Sequence, residues 1–244
     1  MAAQKKVFAF DLDGTLTEHR TWITDENLAV LDRIKARGIR VIILGAGQTR
    51  RIYAQMREYP IDIIGNYGLQ YAKYRDELGG IEFERDLSLP CDRADIIRRV
   101  DEIRAAPGYI EFRGETAEFH PSGCVTVPLL GTKAMISDKL LFDPTREKRR
   151  AIYQLMADAF PEYTVVIGGS SSFDMAPLPY NKYYALDLFC REEGYSHDEI
   201  TYFADDYGTG GNDNCVYESD VDFVKVDRFS LLPQIADDYL NSLT

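Results

Sequence analysis

Two aspartates one residue apart, Asp11 and Asp13, stand at the end of the apolar run in "VFAFDLDGTLT", residues 7–17. Ionised carboxylates this close repel and resist burial, so the pair calls for a compensating cation or a reaction partner. A second acidic stretch, "FADDYGTGGND", places Asp205, Asp206 and Asp213 after another apolar run. If the two runs are neighbouring strands, these five acids crowd one crevice, and an oxygen-rich site of that kind suits Mg²⁺. One carboxylate there can attack phosphorus to give an aspartyl phosphate that water later cleaves. The other, two residues on, can protonate the leaving oxygen and then deprotonate the water. The glycine-bearing turn "DGT" that begins at the second acid offers backbone N–H groups to phosphoryl oxygens. A lone D-x-D triplet is ordinarily a solvated turn; its recurrence at a second strand end is what favours metal-assisted phosphoryl chemistry.

The elements that must position these acids follow from periodicity. "KVFAFDL" is a continuous apolar run of the kind found in strands buried on both faces. Thr24 then caps a helix with apolar positions at Leu28, Leu31 and Ile34, and Gly38 stops it. "RVIILGAG", "QTRRIYAQMREY" and "PIDIIGNYG" continue as strand, helix and strand. This is the β-α-β-α-β order of a parallel sheet with right-handed crossovers. From about residue 77 to 179 the texture changes. "YIEFRGETAEFH", "CVTVPLL" and "TVVIGGSSSFDMAP" read as strands joined by turns, interrupted by helices near 92–105 and 145–159. The second of these helices is expected to open with Asp143 as cap and Pro144 at its first position. After Pro179 come a helix over about 181–193 and the strands "ITYFADD" and "DFVKV". The expectation is an α/β core of residues 1–76 and 180–244, with helices on both faces of a Rossmann-like parallel sheet, and an α+β domain of residues 77–179 inserted into it.

A chain of 244 residues with 45% apolar residues and 12% aromatics can build a substantial core. The formal charge of −12 argues against non-specific binding to nucleic acid or anionic lipid. No stretch approaches the roughly 18 apolar residues of a membrane span, and "MAAQKK" leads into a strand without a secretory apolar region. Cys91, Cys124, Cys190 and Cys215 are too widely spaced for a local motif and read as free thiols, while His19, His120 and His197 lack zinc spacing. The chain reads as cytoplasmic.

"FDLDGTLT" resembles the first motif of the haloacid dehalogenase superfamily, and "FADDYGTGGND" its last acidic motif. With Arg20, "YIEFRG", "IGGSSSFDMAP", "NKYYAL" and "TGGND" in order and spacing, nearly the whole chain resembles the phosphomannomutases of that superfamily. The resemblance implies a parallel-sheet core that carries the chemistry and an inserted α+β cap of the class IIB type that closes over a phosphorylated sugar. By position it implies Asp11 as phosphoryl acceptor, Asp13 as acid and base, and Lys182 as the lysine that neutralises phosphate. It further implies Mg²⁺ held by the Asp11 carboxylate, the Asp13 carbonyl and Asp205, with Asp213 in support. Arg20, Arg113, Ser172 and Asp174 fall on positions that hold substrate phosphate or sugar.

Departures from the family pattern bear on function. "HPSGC" sets Cys124 where the family has an arginine, and a second cap arginine has no counterpart in "VTVPLLGTKAMISDK". Arginine offers planar bidentate contacts to phosphate that cysteine does not. A mutase needs that grip to hold a sugar bisphosphate in both orientations; a hydrolase needs less. Lys133 and Lys139 are the available substitutes. At "GAGQT", Gly45 and Ala46 offer only backbone donors unless Thr49 reaches in, and Tyr67 separates Asn66 from Gly68. The expected function is therefore a Mg²⁺-dependent sugar phosphate phosphatase or phosphotransferase. A true phosphomannomutase is the alternative, and a silent sugar-phosphate-binding module the third reading. For "CVTVPLL", a cap-to-cap homodimer edge and a core strand are both open.

Overall fold

The computed structural model describes residues 4–243. Its larger sheet carries strands β1 (Val7–Phe10), β2 (Arg40–Leu44), β3 (Asp62–Gly65), β4 (Gln70–Arg75) and β5 (Gly80–Asp86) from the first part of the chain. Two more, β10 (Ile200–Ala204) and β11 (Asp222–Lys225), come from the last part. The order is β11-β10-β1-β2-β3-β4-β5. β10 pairs β1 in parallel with Phe10 opposite Phe203, so the segments that end in Asp11 and in Asp205 are adjacent and finish at the same edge.

Alternate residues of these strands bury opposite faces. Phe8, Phe10, Ile43 and Phe203 pack beneath α1 (Asp25–Ala36), α2 (Thr49–Gln55) and α8 (Leu232–Ser242). Val7, Ala9, Ile42 and Tyr202 pack beneath α6 (Lys182–Glu193) and α7 (Asn214–Tyr217). Helices thus cover both faces of a mostly parallel sheet, as expected. The α1 cap is where the spacing predicts it: Thr24 Oγ1 accepts from Asn27 N at 3.2 Å, and Gly38 takes φ +76° just past the helix end.

The chain divides into two compact units. The first holds the described residues up to Asp86, then Lys182–Tyr207 and Asp213 onward; the second holds Leu87–Asn181 with Gly208–Asn212. The expected boundary at residue 77 falls inside the β4–β5 hairpin. β5 pairs with β4 along its whole length, from Arg75–Gly80 to Gln70–Asp86, which ties residues 77–86 to the large sheet.

In the second unit β6 (Glu118–Phe119), β7 (Val125–Pro128), β8 (Tyr163–Gly168) and β9 (Ser172–Pro177) form an antiparallel sheet in the order β6-β7-β9-β8. Val125, Val127, Phe173 and Met175 face α3 (Arg93–Ala105) and α5 (Glu147–Ala159). "CVTVPLL" is therefore core. β7 lies between β9, which pairs with it from Val125 to Pro128, and β6, which pairs with it at Val125 and Thr126.

Of "YIEFRGETAEFH" only Glu118–Phe119 is strand, and a further helix, α4 (Ile136–Phe142), follows β7. α5 begins at Glu147 rather than at Pro144. Asp143 still serves it from a distance, its carboxylate accepting from Lys148 N and Arg149 N at 3.0 Å each. Among the described residues no helix is long and apolar enough to cross a membrane.

Candidate active site

Because β1 and β10 end side by side, Asp11 and Asp205 emerge together, and the turn leading into α7 brings Asp213 back beneath them. One ligand atom from each of Asp11, Asp205 and Asp213 lies within 4.8 Å of the others. Lys182, the first residue of α6, is fully buried among them. Its Nζ donates to Asp11 Oδ1 and to Asp213 Oδ1, each at 2.6 Å. Asp213 also accepts from Tyr202 OH at 2.5 Å and, on Oδ2, from Asp206 N at 3.0 Å. With three donors on a buried carboxylate, Asp213 is a brace for Lys182 and the loop, whereas Asp11 and Asp205 are the acids turned to the strand ends.

Electrostatics at this cluster follow from burial. Burial raises the Asp11 carboxyl well above the usual range; Lys182 pulls against it, and the charges of Asp213 and Asp205 push further up. Asp205 is pushed up to about 6, by burial first and then by Asp213. Burial works against the Lys182 charge, but Asp11 and Asp213 outweigh it and raise its pKa above the usual lysine value. Three carboxylates beside one ammonium leave negative charge uncompensated in a dry site, and a divalent cation would relieve it. The donor set is all oxygen, as Mg²⁺ prefers.

Gly14, at φ +107°, passes close beneath this cluster. A Cβ there would sit 2.5 Å from both carboxylate oxygens of Asp205. Thr15 Oγ1 donates to Asp205 Oδ1 at 3.0 Å. The "DGT" turn thus shapes itself around the acid of the second motif.

Asp13 is bound from the side of α2. Its Oδ1 accepts from Arg20 N and from Gln55 Nε2, both at 2.7 Å, and Arg51 Nη2 stands 3.4 Å from Oδ2. Burial favours the neutral acid, but the Gln55, Arg20 and Arg51 contacts outweigh it and lower the carboxyl pKa. Arg20, expected as a substrate contact, thus also works through its backbone, held at φ +59° with its side chain exposed.

At the end of β2, Gly45 N donates to Ile64 O at 2.8 Å. That amide is consumed by the ladder, which corrects its reading as a ligand donor and leaves Ala46 from that pair. Thr49 does not reach in: its hydroxyl is buried against Gly65 with no hydrogen-bond partner among the described residues.

The residues expected to contact substrate from the second unit lie on β9 and in the loop before β6. Ser172 and Asp174 share one face of β9; Ser172 Oγ donates to Gly168 O at 3.1 Å and Asp174 Oδ1 accepts from Thr126 Oγ1 at 2.8 Å. Arg113 is exposed in the loop before β6 and lines an open cavity of about 540 Å³ with Phe112, Leu130, Leu141 and Phe142. Cys124 is buried, and burial pushes its thiol up to about 12, so it is neither cation nor anion. Lys139 Nζ is bonded to Thr132 O at 3.3 Å.

Sequence reasoning did not single out Gln55, Arg51, Tyr202 or Arg149. The i,i+4 spacing of Arg51 and Gln55 on the face of α2 is the one signal that pointed to a joint role. Arg149 is 1% exposed; its guanidinium donates to the carbonyls of Gly168, Gly169 and Ser172 and pairs with Asp143 at 2.9 Å. It shapes the β8–β9 turn on which Ser172 sits.

Known proteins resemble this chain in sequence and in fold. The eukaryotic phosphomannomutase family profile matches residues 104–226, half of the chain, and that of haloacid dehalogenase-like hydrolases matches residues 8–72. The Schizosaccharomyces pombe phosphomannomutase is 26% identical over 236 residues, covering 89% of this chain and 86% of that protein. Mouse phosphomannomutase 1 is 25% identical over 228 residues, covering 85% and 81%. Among solved structures, the IMP-bound Plasmodium falciparum IMP-nucleotidase superposes with TM-score 0.68 at 11% identity, over 98% of this chain and 68% of that one. BT1666 from Bacteroides thetaiotaomicron, described among phosphatases of the haloalkanoate superfamily, superposes with TM-score 0.61 at 16% identity, over 99% and 96%. At such identities the structures speak to the fold.

Proposed function

The chain belongs to the eukaryotic phosphomannomutase family and is a phosphotransferase of the haloacid dehalogenase type; from that premise we propose that it hydrolyses sugar phosphates through Asp11 with Mg²⁺. The observation that carries this reading is the buried Lys182 ammonium shared between Asp11 and Asp213, with Asp205 completing the acidic cluster. A silent binding module would have no use for so costly an arrangement.

In this reading the negative charge of the arriving ester raises the proton affinity of Asp13, which takes up a proton from water. An oxygen of Asp11 attacks phosphorus, the bond from phosphorus to the sugar oxygen breaks, and Asp13 gives that proton to the sugar oxygen. Water then attacks the aspartyl phosphate. Asp13 takes its proton, inorganic phosphate leaves and the Asp11 carboxylate is restored. Lys182 offsets charge on the passing phosphoryl group. Mg²⁺, held by the Asp11 and Asp205 carboxylates and the Asp13 carbonyl, would supply charge neutralisation for the same transfer.

Within the second unit, Arg113, Ser172 and Asp174 are the proposed sugar and phosphate contacts. Cys124 favours hydrolysis over isomerisation, because a buried neutral thiol stands where the family has an arginine. Family membership itself favours the second reading, a phosphomannomutase. The four free thiols and the acidic composition support a cytoplasmic enzyme acting on small molecules.

One assay separates the two readings. The protein is incubated with Mg²⁺ and mannose 1-phosphate, with and without a hexose bisphosphate, and free phosphate and the 6-phosphate are both followed. Free phosphate is expected in both cases. Isomerisation without phosphate release would make the protein a mutase.

A further inference from the structure

Asp13 is held by more than the proposed chemistry requires. Gln55 lies at the end of α2, 8% exposed, and uses both amide hydrogens: Nε2 donates to Asp13 Oδ1 at 2.7 Å and to Thr17 Oγ1 at 3.0 Å. Its Oε1 accepts from Arg51 Nη1 at 2.9 Å. The orientation of this amide is fixed by its surroundings. Reversed, it would set a carbonyl against the Asp13 carboxylate and an NH₂ group against the Arg51 guanidinium. The Thr17 hydroxyl passes its own hydrogen to Leu12 O at 3.3 Å, which leaves its lone pairs to Gln55.

The two oxygens of Asp13 are therefore unlike. Oδ1 accepts two short N–H bonds, from Gln55 and from the Arg20 backbone. A proton on Oδ1 would face two donors. Among the described residues the hydrogen-bond contact on Oδ2 is the longer approach of Arg51 at 3.4 Å, and His19 adds an electrostatic pull on the carboxylate as a whole.

We propose that Gln55, braced by Arg51, is the positioning residue for proton transfer: it pins Asp13 Oδ1 and leaves Oδ2 as the atom that gives and takes the proton. The proposal rests on the reading of Asp13 as acid and base. Loss of Gln55 lets the carboxyl rotate and scatters the donor atom, which harms a step that needs a proton at one place. It spares a step whose leaving group departs as an anion.

The test compares two leaving groups in single-turnover experiments with Mg²⁺ and excess enzyme. One is the sugar alcohol of whichever of mannose 1-phosphate, mannose 6-phosphate and glucose 6-phosphate the parent enzyme cleaves fastest. The other is p-nitrophenolate from p-nitrophenyl phosphate. Gln55→Leu is expected to slow release of the sugar about 10- to 100-fold, while release of p-nitrophenolate and both KM values change by less than about threefold. Gln55→Glu keeps the volume but turns an acceptor toward Asp13, and is expected to show the same selectivity. Equal slowing of both leaving groups, or slowing of neither, would overturn the proposal. Should the parent enzyme cleave none of these esters, the proposed function falls and this inference with it; an active parent with unselective variants removes the positioning role alone.

Discussion

Lys182 Nζ lies 2.6 Å from Asp11 Oδ1, with the lysine fully buried and the aspartate nearly so. A charge pair this dry survives only because a second carboxylate, Asp213, shares the ammonium at the same distance. In Asp11→Asn the Lys182–Asp213 contact remains, so the fold should persist while the nucleophile is lost. Expected are a melting temperature within a few degrees of the parent, about the effect of a modest change in stability, and no phosphoenzyme in acid-quenched samples. Residual turnover at the parental rate would remove Asp11 from the reaction.

Removing the ammonium has the opposite signature. Lys182→Met leaves Asp11, Asp205 and Asp213 facing one another, and a loss of about 3–5 kcal/mol is expected in denaturant titrations. Mg²⁺ should raise the melting temperature of this variant more than that of the parent, because the cation takes over the missing charge. An equal shift in both proteins would place the metal elsewhere.

Gly14 couples the two acidic motifs. With φ at +107° and a Cβ position 2.5 Å from the Asp205 oxygens, Gly14→Ala must either strain the turn or push Asp205 aside. The variant is expected to need at least about tenfold more Mg²⁺ for half-maximal activity. An unchanged Mg²⁺ titration would show that Asp205 tolerates displacement.

At the opposite end of the strands, Glu193 receives Lys73 at 2.6 Å, Arg40 at 2.8 Å and the Tyr71 hydroxyl at 3.1 Å. Burial works against its charge, but these contacts win and hold its carboxyl down at about 2, against 4.5 ordinarily. A depressed carboxylate stabilises the fold above the unfolded value. That contribution is lost as pH falls from about 4.5 toward about 2. Glu193→Gln should cost about 1–3 kcal/mol at neutral pH and flatten the loss of stability across that window. Urea midpoints measured from neutral pH downward check this; parallel curves for the two proteins would refute it.

Inside the second unit, Arg149→Met strands the buried Asp143 carboxylate and frees the carbonyls of Gly168, Gly169 and Ser172. A loss of about 3–5 kcal/mol is expected, and the double variant with Asp143→Asn should lose less than the sum of the two. Strict additivity would show that the pair is not coupled.

The parallel strands, the α1 cap and the acids themselves were legible in the chain because each rests on local pattern. "VFAF" and "ITYFA" are apolar without interruption since both faces of the sheet are covered. The loop around Arg113 was less legible. "YIEFRGETAEFH" alternates like a strand, yet only Glu118–Phe119 joins the sheet, while Arg113 and Glu115 bond through their backbone to the loop of residues 130–133. Strand propensity registers fit to a half-buried surface, and that surface is supplied or withheld by the rest of the fold. Pro144 and Asp143 carried an N-terminal helix signal that the backbone honours three residues later, because Asp143 is also claimed by the Arg149 guanidinium.

What the amino-acid order determined alone is the inventory: an aspartate doublet at one strand end, acids at another, a lysine at the start of α6, and a cysteine, Cys124, just ahead of β7. Which oxygen faces which donor was decided by the tertiary structure. Asp11 and Asp205 meet because β1 and β10 pair in register, and Asp13 swings toward Gln55 because α2 follows β2 on the same side. Hydrogen bonds and ion pairs act over a few ångströms, as between Lys182 and Asp11, 171 positions apart, and sequence proximity carries no information at that separation.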